Sequence, residues 1–338
     1  MRAMILRELA ALADNPAPLE LVDLPTPTPA AGEVLLQVHV CGVCHTELDE
    51  IEGRTAPPRL PIVLGHQVVA TVAELGAGAT RHRVGDRVGV GWIYHSDGSP
   101  EENLSDAFQA TGRDANGGYA EFLVVPEDYA YPIPEGFSNA EAAPLLCAGA
   151  VGYRALRLCN LADGAALGFT GFGASAHLVL QMARHRYPHS RFYVFARSAA
   201  EREFALSLGA AWAGDTHEKA PEPLDAIIDT TPAWKPVVMA LANLRPGGRL
   251  VINAIRKEDR DRQDLLHLSY HEHLWLEREI KSVANVTQFD VRDCLSLAAA
   301  AGVRPTVTTY PLADANHALV ELKQGHVRGA KVLEIGGE

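Results

Sequence analysis

The feature that most constrains this chain is a change of rhythm near Ala148. Before that point short apolar runs are cut by Gly and Pro, as in Glu33-Val-Leu-Leu-Gln-Val-His-Val40, Val68-Val-Ala-Thr-Val72 and Asp86-Arg-Val-Gly-Val90. Turn residues at such close intervals predict a β-barrel-like unit. After it the pattern alternates: a helix over about 140–158, a strand over 166–170, a helix over 174–186, a strand over 191–196 and a helix over 199–208. Further strands are expected at Ala226-Ile-Ile-Asp229 and Arg249-Leu-Val-Ile-Asn253. Strands alternating with helices of this length predict a parallel, doubly wound sheet, so the class is α/β. From about residue 287 the tail turns mixed, with a helix through Ala298–Ala301, a strand near Thr306–Thr309, a helix near 313–324 and a last strand at Lys331–Ile335.

Length and composition narrow the classes of function. The 338 residues are 47% hydrophobic and 21% charged, which suits a globular protein of two domains. No apolar run approaches the ~18 residues that span a bilayer. The opening Met1-Arg-Ala-Met-Ile-Leu6 is too short and too soon charged for a secretory signal. Five cysteines, an odd and small number for this length, argue against a disulfide framework, and the cytoplasm is the expected compartment. A net charge of −12 with no basic stripe argues against a nucleic-acid partner.

Three segments far apart in the chain carry chemistry: Cys41-Gly-Val-Cys-His-Thr-Glu47, Leu64-Gly-His-Gln67 and Ala143-Pro-Leu-Leu-Cys-Ala-Gly149. They offer Cys44, His66 and Cys147 to one metal ion. Three Cys and His ligands with a fourth place open describe a catalytic zinc rather than a structural one. Next comes a glycine turn, Gly171-Phe172-Gly173-Ala174-Ser175-Ala176, placed after an expected strand and before an expected helix. In that context it fits the relaxed dinucleotide fingerprint, whose glycines allow the tight turn and the approach of a pyrophosphate to the helix N-terminus. At the end of the next strand Ala196 stands where an acid would bind a ribose 2′-hydroxyl, and Arg197 with Ser198 follows. Arg suits a 2′-phosphate, so NADP is favoured and NAD is the alternative; an exposed Arg with no such role is the bland reading.

Taken together, these motifs resemble the zinc-dependent alcohol dehydrogenases of the medium-chain dehydrogenase/reductase superfamily. The resemblance runs through Cys41–Glu47, Gly65-His66, Val84-Gly-Asp-Arg-Val88, Gly117-Gly-Tyr-Ala-Glu121, the Cys147 segment, Gly171–Ala176, Leu244-Arg-Pro-Gly-Gly-Arg249 and Arg328-Gly-Ala-Lys-Val332. It implies a catalytic domain of residues 1–148 and 287–338 around a Rossmann cofactor domain of residues 149–286. It implies Cys44, His66 and Cys147 as ligands of one zinc per chain, and Thr46 as the hydroxyl that takes the substrate's proton. Glu47 would hold the His66 imidazole, a role that tunes ligand basicity. His45 and Arg328 correspond to positions that meet the cofactor pyrophosphate, and Trp92 to one lining the substrate pocket, with a core Trp as the plainer reading. Cys41 is not a ligand position and reads as a small buried hydrophobe. The family also implies a homodimer or homotetramer.

Three departures from the family pattern stand out. Many relatives have glutamate directly after the zinc-binding histidine, whereas this chain has Gln67, a neutral amide near the metal. The family's proton relay often ends in histidine where this chain has Asp49, which would either pass a proton to solvent or simply be a solvated carboxylate. Relatives with a structural zinc carry four cysteines before the Gly117-Gly-Tyr segment. Here the loop from Trp92 to Ser105 has none, so no structural zinc is expected and the loop must be held by its own turns or by a neighbouring subunit. His95 and Asp97 in that loop, and His271-Glu-His273 further on, read as surface or interface groups rather than ligands. The function expected is reversible hydride transfer between a primary alcohol or its aldehyde and NAD(P). The alternatives are a zinc-free quinone or enone reductase of the same superfamily and a non-catalytic cofactor-binding protein.

Overall fold

The computed structural model describes residues 1–325 and 329–336, which fall into two compact units. The first comprises Met1–Ala150, Asn285–Ala299 and Arg304–Glu338; the second comprises Val151–Ala284 and Ala300–Val303.

The first unit is built around a seven-stranded sheet. Its longest strand, Glu33–Val43, pairs antiparallel with Val68–Leu75, with Phe122–Pro126 and with the C-terminal strand Ala330–Glu334. The alternation seen in the sequence places Val34, Leu36 and Val38 in a core with Val68, Ala70 and Val72. One strand therefore contacts three partners, which is the curled, barrel-like arrangement predicted for this part. A small sheet of Arg2–Leu6, Leu19–Asp23 and Ile62–Val63 was not foreseen, because its runs are short and lie between long loops.

The second unit carries six parallel strands. Their spatial order is Trp212–Gly214, Arg191–Phe195, Ala166–Thr170, Leu224–Asp229, Leu244–Ile252, Glu279–Ser282. Numbered by their sequence within the unit this is 3-2-1-4-5-6, the doubly wound order with its reversal between the first and fourth strands. Helices Ala174–Arg186, Ala199–Ser207 and Lys235–Leu241 connect them. Leu224, Ile227, Leu241 and Leu250 pack between sheet and helix with Tyr193 and Phe195.

One expected helix is not continuous. Instead of a single element over 140–158, a short helix Asn139–Ala142 runs into a tight turn Ala143–Leu146, the chain breaks at Cys147, and a second helix spans Ala148–Leu158. Cys147 has φ −129° and ψ −79°, outside the helical region. Pro144 offers no backbone donor to the preceding turn, so an apolar pattern of helical period does not guarantee an unbroken helix here. Among the described residues no helix is long and apolar enough to cross a membrane.

Candidate metal and cofactor site

The strand Glu33–Val43 delivers the chain to Cys44, which caps the helix His45–Ile51. The cap is reciprocal: the Cys44 sulfur accepts from the Thr46 N–H at 3.4 Å, and the Cys44 N–H donates to Glu47 Oε2 at 2.8 Å. This is a capping box with sulfur in place of a hydroxyl. The other Glu47 oxygen lies 2.7 Å from His66 Nδ1, and both side chains are buried. The Glu47 carboxylate thereby fixes the ring so that Nε2 faces the sulfurs. His66 Nε2 stands 3.6 Å from Cys44 Sγ and 3.3 Å from Cys147 Sγ. The break at Cys147 is what turns its sulfur out of the apolar helix path toward His66.

All three ligand atoms lie within 4.8 Å of one another. A tetrahedral ion with Zn–S of about 2.3 Å and Zn–N of about 2.0 Å separates S from N by roughly 3.5 Å, so the donor set has the spacing of a zinc site. Hydrogen bonding to Cys147, then burial and the nearby Glu47 charge, hold the Cys44 thiol well above its ordinary value. Burial disfavours a charged His66, yet Glu47 and Cys44 outweigh it and raise that group as well. A soft cation is the natural relief for such a crowd of donors, because it takes the place of their protons. Among the described residues no second cluster of this kind occurs.

Trp92 lies beside this group: its ring centroid is 6.1 Å from that of His66, and Phe108 meets it edge-on at 5.9 Å. Phe108 was not singled out in the sequence, because only the hairpin pairing of Ile93–His95 with Gln109–Ala110 brings it back to Trp92. Gln67 is buried against the backbone of Gly42, where an added Cβ would lie 2.7 Å from its amide oxygen. Glu50, also missed, is a fully buried carboxyl in the same helix, held above the usual range by burial and by Glu47. Cys41, Cys159 and Cys294 are buried thiols, Cys41 within the apolar core and Cys294 donating to the Leu145 carbonyl at 3.7 Å.

Asp49 requires a correction. It is 1% exposed and its Oδ1 sits 2.5 Å from Arg54 Nε, so it is not a solvated carboxylate. Thr46 is buried in the first turn of the helix, and His45 is exposed at the helix start. Arg328 lies outside the described residues. His95 and Asp97 are exposed, and Asp97 caps a turn by accepting from Ser99 N–H at 2.9 Å. Of the other pair, His273 is buried and bonded to Ser269, while His271 meets Tyr270 and Trp275 edge-on at the surface.

In the second unit Gly171 ends the strand Ala166–Thr170 with φ +75°, and Gly173 caps the helix Ala174–Arg186. A Cβ at Gly173 would meet nothing within 4 Å, so the turn is open on that side. Ala176 is fully buried against the sheet. Phe172 points inward and meets Phe204 edge-on at 5.7 Å, leaving only its backbone at the turn. The Ser175 hydroxyl accepts from Asn253 Nδ2 at 3.0 Å, and Ala174 opens the helix. Arg197 and Ser198 are exposed just past the strand Arg191–Phe195, while Ala196 is buried. Beneath the turn Asp229 accepts from Thr170 Oγ1 at 2.5 Å and pairs with Lys257, a buried knot of charge that no local motif announced.

Comparison with known proteins bears on this geometry. Residues 30–135 match the alcohol dehydrogenase GroES-like domain. The chain is 42% identical over 330 residues to a Mycobacterium tuberculosis protein named "Probable alcohol dehydrogenase AdhA", covering 94% of this chain and 93% of that one. It is 30% identical over 334 residues to an alcohol dehydrogenase of Geobacillus stearothermophilus, covering 94% and 96%. Its fold is similar to that of a thermostable alcohol dehydrogenase from Pyrobaculum aerophilum, with a TM-score of 0.86, 24% identity and coverage of 99% of each chain. The chain belongs to the zinc-type alcohol dehydrogenase family of the medium-chain dehydrogenase/reductase superfamily.

Proposed function

We propose that this protein is a zinc-dependent alcohol dehydrogenase that interconverts primary alcohols and aldehydes by hydride transfer with a nicotinamide cofactor. The observation that carries the reading is the convergence of Cys44, His66 and Cys147 with Glu47 behind the imidazole, in a chain of this family. Zinc held there would supply Lewis acidity, polarising a carbonyl and easing loss of an alcohol's proton near neutral pH. The chain's residues do the rest. Glu47 keeps Nε2 of His66 turned to the ligand group. Thr46, two residues after Cys44, is the hydroxyl assigned to receive the substrate proton at Oγ1. Trp92 and Phe108 form an aromatic wall next to His66 that favours small or flat apolar alcohols over charged ones. Asp49 is left out of the proton path because Arg54 holds it.

The glycine turn, with Gly171, Phe172, Gly173, Ala174 and Ser175, is assigned to the cofactor pyrophosphate, and Arg197 with Ser198 to a 2′-phosphate. The exposed Arg197 beside a buried, neutral Ala196 supports NADP over NAD, since no acid stands there to repel the phosphate. Equal catalytic efficiencies with the two cofactors would remove that preference. The assembly assigned is a homodimer or homotetramer. Support comes from the outer strand Glu279–Ser282, exposed along its length, and from the nearby exposed Tyr270, Trp275 and Leu276.

The first test is zinc per chain by elemental analysis, paired with Cys44→Ser. One zinc per chain, lost in the variant together with alcohol turnover while cofactor still binds, is the expected result. A variant that oxidises alcohols at the original rate would sink the zinc mechanism.

A further inference from the structure

The loop between Trp92 and Phe108 contains no cysteine, yet it is firmly tied down. Its centre is Glu102, whose side chain is completely buried. Burying a carboxylate is costly unless its oxygens are hydrogen-bonded, and here both are. Glu102 Oε1 accepts from the Gln288 backbone N–H at 2.5 Å. Oε2 accepts from the Tyr129 hydroxyl at 2.9 Å and from Gln288 Nε2 at 3.4 Å. The knot closes on the loop itself, because Ser96 N–H donates to the Tyr129 oxygen at 3.0 Å and Ser96 Oγ donates to the Glu102 carbonyl at 2.8 Å. Tyr129 lies 27 residues and Gln288 186 residues from Glu102, so the tie is wholly tertiary.

The loop is the connection of the hairpin that pairs Ile93 with Ala110 and His95 with Gln109. Trp92 and Phe108 therefore sit at its two feet, and Thr111 N–H donates to the Trp92 carbonyl at 2.8 Å. Whatever fixes the loop fixes the edge-on contact of the two rings beside His66.

We propose that Glu102 is a positioning residue for substrate selection: its carboxylate staples the loop to Tyr129 and Gln288 so that Phe108 and Trp92 keep one geometry beside the ligand group. The proposal deepens the alcohol dehydrogenase reading, on which it rests. The staple acts on the wall and not on the proton or hydride path, so its loss should appear in KM more than in kcat.

The test compares full-length, zinc-loaded protein with its Glu102→Gln and Tyr129→Phe variants, the second removing the two bonds of the Tyr129 hydroxyl, to Glu102 and from Ser96 N–H, and leaving the carboxylate in place. Steady-state kinetics with ethanol and benzyl alcohol are combined with hydrogen exchange of residues 96–108. The expected result is a KM for benzyl alcohol raised about two- to tenfold relative to that for ethanol, the size of one lost hydrogen bond, with kcat little changed. Exchange across 96–108 should quicken in both variants while zinc per chain stays the same. Unchanged exchange and unchanged KM values in a folded variant would overturn the proposal, and so would an equal loss of kcat with both alcohols. If the unmodified protein turned over neither alcohol, the functional reading would fall, and the exchange rates would still decide the staple.

Discussion

At the residue scale Glu47 joins two tasks that are usually separate. One oxygen closes the helix cap on the Cys44 N–H and the other orients His66. Glu47→Gln keeps a similar shape but loses the charge that raises the basicity of the imidazole. Zinc affinity should drop about 10–100-fold, as for other residues that orient a ligand, and competition with a chromophoric chelator would show it. Affinity equal to that of the unmodified protein would mean that Glu47 serves the helix cap alone. The ligand types were legible in the sequence, and the roles of Glu47 and Thr46 came through family resemblance. Asp49 was not legible. Its partner Arg54 is five residues on, beyond the end of the helix His45–Ile51, and only the turn of the chain past Gly53 brings the guanidinium back.

At the scale of elements the glycine turn is the clearest case of local sequence deciding local structure. Gly171 occupies left-handed backbone at φ +75°, and an added Cβ would stand 3.0 Å from Thr230 Oγ1 and Thr231 Cγ2. Gly171→Ala should cost about 1–2 kcal/mol for the left-handed conformation alone. Thermal unfolding should register that loss, and fluorescence titration should register weaker cofactor binding. An alanine variant that binds cofactor normally would show that the turn does not need its native shape. The break at Cys147 is the opposite case. The apolar period over 140–158 is genuine, but the backbone leaves the helical region at Cys147, whose sulfur stands 3.3 Å from His66 Nε2. Short strands such as Trp212–Gly214 and Glu279–Ser282 also escaped notice, because three or four residues hold too few periods to stand out.

For the whole molecule, tertiary ion pairs set the response to acid. Burial opposes a charged Glu52, yet Lys323 and Arg54 outweigh it and bring its carboxyl to about 2. An unfolded glutamate titrates near about 4.3. A group depressed on folding contributes stability that is fully present above the unfolded value and lost as pH falls toward the folded one. Stability should therefore decline from about pH 4.3 toward pH 2, and Glu52→Gln should flatten part of that slope in thermal midpoints recorded against pH. An identical slope in the variant would show that the pair carries none of it. The proposed assembly has its own test at this scale. Ile280 is 44% exposed on the outer strand, so Ile280→Lys should leave the fold intact and shift the mass measured by light scattering toward a single chain. A variant that keeps the mass of the unmodified protein would place the interface elsewhere. Sequence alone determined the class of fold, the ligand types and the glycine turn, because periodicity, donor chemistry and backbone freedom are properties of neighbouring residues. Tertiary structure alone decided which carboxylates are buried, what pairs with Asp49, and how Glu102 reaches Tyr129 and Gln288. Those outcomes depend on desolvation and on contacts between residues far apart in the chain, which no local pattern encodes.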